Sequence, residues 1–171
     1  MSLTDRFRFR LRQWFDYETD VHAKVIASLG TVSVSEDKRG DAAYQKALDL
    51  LAHIAAARSL WLFRFGVAET GPHSVEELFP RGHTLADVET ELALMHERWS
   101  EYLQGLDDEK LGRLFEYQSI EGGRFQNRIE DLLTQLFGHS SYHRGQIASV
   151  VRSLRGEPAV TDFVYWRRES I

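Results

Sequence analysis

The chain has 171 residues, 43% of them apolar and 12% aromatic, and a formal net charge of −5. That apolar content suits one packed domain and argues against disorder. The acidic balance supplies no global basic field for nucleic acid. The absence of cysteine excludes disulfides, thiolate metal ligands and a cysteine nucleophile, and agrees with a reducing cytosol.

The first predicted helix spans residues 3–29, where Phe7, Leu11, Trp14, Phe15, Val21, Val25 and Leu29 recur at helical spacing before Gly30. Arg6, Arg8, Arg10 and Arg12 alternate with Phe7, Phe9 and Leu11. They read as the solvated side of this helix rather than as a membrane- or RNA-binding arm. A polar linker, residues 31–40, leads to Asp41 as the expected cap of a second helix over 41–65, ended by Gly66. That helix is apolar nearly all round, which marks a central element. After a loop rich in Pro and Gly, Thr84 and Asp87 form a capping box for a third helix over 84–106. Aromatics flanking Gly122-Gly123 predict a small β-hairpin over 113–126. Asn127 with Glu130 is expected to cap a fourth helix over 127–155, closed by Gly156 and Pro158. The aromatic tail, residues 158–171, should fold back over the helices. No apolar run is long enough to cross a membrane and the N-terminus has no signal-peptide h-region, so a soluble cytoplasmic protein is expected.

The chemistry concentrates in the fourth helix. His139 and His143 lie one turn apart on the face that also carries Leu132, Leu136, Ile147, Val150 and Leu154. Buried imidazoles need partners, so these are either hydrogen-bonded core residues or metal ligands. A third ligand would come from a facing helix. His53, on the face of Leu50, Ala57 and Leu60, is the best placed, with His22 as a substitute. Three neutral histidines leave a divalent ion an open position, the pattern of catalytic sites. His73 and His83 are expected in solvent, and His96 beside Glu97 or in solvent. Inward Glu-x-x-His pairs, His-Glu-x-x-His, a nucleophile elbow and a phosphate-cradling glycine loop are all missing from the sequence. Ser35-x-x-Lys38 sits in too polar a context for a nucleophile.

The run Phe137-Gly138-His139-Ser140-Ser141-Tyr142-His143-Arg144-Gly145-Gln146 resembles the helix signature of the DinB/YfiT-like superfamily of metalloenzymes. Leu51-Ala52-His53-Ile54 with Trp61 and Arg64, and Asp162-Phe163-Val164-Tyr165, are similar to two weaker signatures. The resemblance implies an all-α, antiparallel four-helix bundle with a crossover connection, and His53, His139 and His143 as ligands of nickel or zinc, with iron or manganese as further possibilities. It also implies a homodimer and a small-molecule substrate such as a low-molecular-weight thiol, used for thiol transfer or hydrolysis. The alternative is a metal-binding module or stress-linked dimer without turnover. Tyr142 stands where relatives often carry another histidine. Arg144 is expected to pair with Asp162 or Asp131 rather than to clamp an anion, Gln146 to satisfy backbone groups, and Asp49 to hold the second nitrogen of His53.

Overall fold

The computed structural model describes residues 3–33 and 42–170. The chain is mostly helical, with one two-stranded antiparallel sheet. Four long helices dominate: α1 (Leu3–Gly30), α2 (Ala42–Arg64), α4 (Leu85–Gln104) and α6 (Ile129–Ser153). The short helices α3 (Val75–Leu78), α5 (Asp108–Gly112) and α7 (Phe163–Arg167) were not expected from periodicity, since four or five residues are too few to show one. The expected cap Asp41, most of the linker and Ser35-x-x-Lys38 lie outside the described residues.

Helix α2 packs against α4 and α6, and α1 packs against the same two. Consecutive α1 and α2 therefore do not form a principal interface. The apolar periodicity explains the arrangement. Leu48, Leu51, Ile54 and Leu62 of α2, Leu92 and Trp99 of α4, and Leu133 and Ile147 of α6 are all buried. Trp99 is fully enclosed, stacks with Phe15 at 5.3 Å and donates its indole N–H to the Arg58 carbonyl.

Thr84 and Asp87 form the expected capping box at α4. The start of α6 differs from expectation. Its cap position is Arg128 with no side-chain bond, because Asn127 belongs to strand β2 and accepts a hydrogen bond from the Tyr117 hydroxyl. Strand β1 (Leu114–Gln118) pairs with β2 (Arg124–Arg128), with Tyr117 opposite Phe125. An isolated hairpin is marginal. This one leans on α2, Tyr117 meeting Trp61 at 5.0 Å and Phe115 meeting Phe65 at 5.0 Å. At the far end of α6 the left-handed residue is Arg155 (φ 60), not Gly156. Gly156 is needed for another reason: a Cβ there would lie 2.8 Å from Val32.

The tail does fold back. Phe163 and Trp166 both pack edge-on against Tyr17, and Trp166 donates to Asp20. The Tyr17 hydroxyl donates to the Thr161 carbonyl, while Val164 and Tyr165 remain exposed. Arg8 pairs with Asp5 and Asp108 on the exposed side of α1.

In the middle of the helices lies a charged cluster. Glu18 of α1, Arg58 of α2 and Arg144 of α6 are all buried. The Glu18 carboxylate accepts from Arg58 through one oxygen and from Arg144, at 2.6 Å, through the other. Burial, and then the Arg144 charge, pull the Arg58 pKa down to about 9, and burial also lowers that of Arg144. Removing the shared carboxylate would leave two uncompensated buried cations. Glu18→Ala is therefore expected to cost about 3–5 kcal/mol of stability. A urea midpoint equal to that of the unaltered protein would contradict the clamp.

Candidate metal centre

His53 is placed by the all-round burial of α2: it is 4% exposed in a run from Leu51 to Ala55 that is otherwise wholly apolar and buried. His139 and His143 project from α6, one partly exposed and the other 9% exposed. The helix interface brings the three together, one ligand atom of each lying within 4.8 Å of the others. His139 sits in the middle. Its Nε2 is 3.1 Å from His53 Nε2 and 3.0 Å from His143 Nε2.

The outer nitrogens decide the tautomers. His53 Nδ1 lies 2.6 Å from the Leu78 carbonyl and His143 Nδ1 lies 2.8 Å from Gln146 Oε1. The Leu78 carbonyl only accepts, so His53 Nδ1 carries the proton and its Nε2 is a bare lone pair; with the Gln146 amide oxygen turned toward it, His143 takes the same tautomer. His139 can donate one N–H to one of them and no more. Three nitrogens so placed are short of protons. Adding one is opposed: burial, then the charges of His143, His53 and Arg58, lower the His139 pKa to about 4. Burial also lowers that of His53, against the Leu78 hydrogen bond that raises it. The two separations at His139 match one divalent ion, and the third, within 4.8 Å, would close on binding. Two imidazole nitrogens about 2.0–2.1 Å from one ion stand about 2.9–3.4 Å apart for angles between octahedral and tetrahedral.

The surroundings revise several expectations. Asp49 does not hold His53; the loop carbonyl of Leu78 does. Asp49 instead accepts from Gln45 and from the Gly82 amide, anchoring the chain between α2 and α4. Arg144 pairs with Glu18 rather than Asp162 or Asp131, because those two acids are exposed and Glu18 faces it across the core. Gln146 holds His143, not backbone. Tyr142 is exposed, its ring 5.1 Å from that of His143. His83 is partly buried against Glu91, whereas His73 is exposed.

His22 stays out of the cluster. Its Nδ1 lies 3.0 Å from Nε2 of His96, the rings nearly parallel, and its own Nε2 is buried without a partner among the described residues. His96 accordingly faces His22 rather than Glu97 or solvent. Sequence reasoning missed Glu18 and Arg58. The signal was present in part: Glu18 is one turn before His22 on the buried side of α1, and Arg58 lies in a helix with no solvent face near it.

Facing helices that carry histidines to one interior point are how helical proteins build metal sites. The DinB family model matches residues 1–169, and the chain belongs to the DinB family. No curated protein matches it. No helix is long and apolar enough to cross a membrane among the described residues.

The His22–His96 pair has a measurable consequence. Burial is the largest cause of the lowering in both, to about 4 in His96 and well below 6.5 in His22. The unfolded chain takes up protons near the ordinary value of 6.5, while these folded imidazoles do not. Their contribution to stability is intact above pH 6.5 and is lost as pH falls toward 4. Each should steepen the fall by about 1 kcal/mol per pH unit in that window. His96→Leu should flatten it by that amount in urea titrations between pH 7 and 4.5; an unchanged slope would show that His96 titrates normally in the fold.

Proposed function

We propose that this protein is a metal-dependent enzyme on an antiparallel four-helix bundle with a crossover connection, and that His53, His139 and His143 bind one divalent ion, nickel or zinc in the first place. The packing of each long helix on two others supports the bundle. The observation that carries the metal reading is the proton shortage among the three Nε2 atoms, two of which are held bare by Leu78 and Gln146. Family membership supports the same conclusion.

An ion held by three neutral imidazoles keeps a position for a further ligand and lowers the pKa of a bound water or thiol. The residues around it divide the remaining work. The Leu78 carbonyl and the Gln146 amide keep two donors in the binding tautomer. Phe79 stacks on the His53 ring at 4.0 Å and shields that side from water. Burial, with the charges of His143, His53 and Arg58 behind it, keeps the middle donor unprotonated well below neutral pH. The reaction this arrangement suits is hydrolysis or transfer from a low-molecular-weight thiol, in a cytoplasmic homodimer. A second reading, a metal-binding module without turnover, draws support from the burial of His53 and His143.

Elemental analysis of the purified protein is expected to find about one divalent ion per chain, and His143→Ala should carry none. Gln146→Leu should bind metal roughly 10–100-fold more weakly while folding normally. A protein with no stoichiometric ion would sink the metal reading. A loaded protein inert toward thiol conjugates and esters would favour the module.

A further inference from the structure

The chain between α2 and α4 is fixed at both ends and lightly held between them. A Cβ at Gly71 would lie 2.5 Å from the Phe63 side chain, so the backbone there lies tight against α2. At the other end the Gly82 amide donates to Asp49, while His83 gives its carbonyl to Gln45 and its imidazole to Glu91 at 3.1 Å. Gly82 has φ +78, in the left-handed region, and turns the chain without the clash a Cβ would bring. From 73 to 81 no residue is buried. Among the described residues, every hydrogen bond, ion pair and ring contact that residues 74–81 make to another helix or strand goes to His53. The Leu78 carbonyl accepts from its Nδ1 at 2.6 Å, and the Phe79 ring stacks on its imidazole at 4.0 Å. Within itself the segment is well tied. Ser74 accepts from the Glu77 amide, Glu77 accepts from the His73 amide, and the Leu78 and Phe79 amides donate to the Ser74 and Val75 carbonyls. A piece built this way moves as one body about its two ends.

We propose that residues 72–81 are a lid on His53, closed in this structure, and that lid closure and the binding of a divalent ion are coupled. The coupling runs through one tautomer. With the lid closed, the Leu78 carbonyl keeps the proton of His53 on Nδ1 and leaves Nε2 as a lone pair for the ion. With the lid lifted, Nδ1 loses its acceptor, the ring loses Phe79, and the proton is shared between both nitrogens. The ion therefore favours the closed state, and an ion on His53 holds the lid down to the same degree. Opening the lid weakens the centre without disturbing α2 or α6. The coupling rests on the metal reading; the lid itself does not.

The test is hydrogen exchange read by mass spectrometry on the full chain with and without zinc, with zinc content and affinity measured on the same samples. Zinc is expected to slow exchange in residues 72–81 and to leave the hairpin unchanged. Phe79→Ala, at a half-exposed position, should speed exchange in 72–81 in the metal-free chain and weaken zinc roughly tenfold. Ser74→Ala removes the cap of α3 and touches none of the three ligands, yet it should weaken zinc roughly fivefold. Stoichiometric zinc with unchanged exchange in 72–81, or with both variants binding as tightly as the unaltered protein, overturns the coupling and leaves the metal reading standing. A chain that takes up no zinc but exchanges faster in 72–81 once Phe79 is replaced keeps the lid and overturns the metal reading. No zinc and no change in exchange overturns both.

Discussion

The carboxylate of Glu18, shut away from water, holds the guanidiniums of Arg58 and Arg144 and so joins α1, α2 and α6 at one point. Stripping water from each of these ions costs several kcal/mol, and only close, shared hydrogen bonds offset it. The contact is therefore intolerant of displacement. It sits directly behind the imidazoles: Arg144 follows His143 in α6, and Ser140, which follows His139, faces the Arg58 guanidinium at 3.5 Å. Sliding α6 along α2 by one residue would break the clamp and separate His53 from His139 together. Of the two guanidiniums, Arg58 also bears on His139, where it adds to burial and to the neighbouring His143 and His53 in opposing protonation.

The second constraint comes from the chain between α2 and α4. The carbonyl of Leu78, at the end of the single turn α3, is free to accept from His53 Nδ1. Asp49 fixes the returning segment by taking the Gly82 amide, and Ser74 caps the turn. The same segment delivers Phe79 onto His53. One loop thereby sets the tautomer of a donor and covers its face.

The two histidine groups of the core show how number changes chemistry. His22 and His96 lie 3.0 Å apart, a separation equal to that of His139 and His143. A pair can share a single proton, one ring donating and the other accepting, and needs nothing further at the contact. Three nitrogens cannot be joined by the one proton His139 can offer when the outer two are held bare. The difference lies in the partners at the far nitrogens, Leu78 and Gln146, and not in the histidines themselves.

Much of this was legible from residue order. Apolar recurrence located the four long helices, because a buried stripe needs a side chain each turn. The Thr84–Asp87 box and the Gly122-Gly123 pair marked a helix start and a hairpin through local chemistry alone. The spacing of His139 and His143 put both on one face of a helix, and burial of α2 all round pointed His53 inward. What the tertiary structure decided were contacts between residues far apart in the chain. Arg144 chose Glu18, 126 residues away, over nearer acids; a loop carbonyl displaced Asp49 as the partner of His53; and His22 turned to His96. Periodicity reports which side of a helix is buried, since that depends on neighbours one turn away. It carries no information on which buried polar group faces which, since that depends on how the helices are rotated and shifted against one another, and those are set by the packing of the whole core.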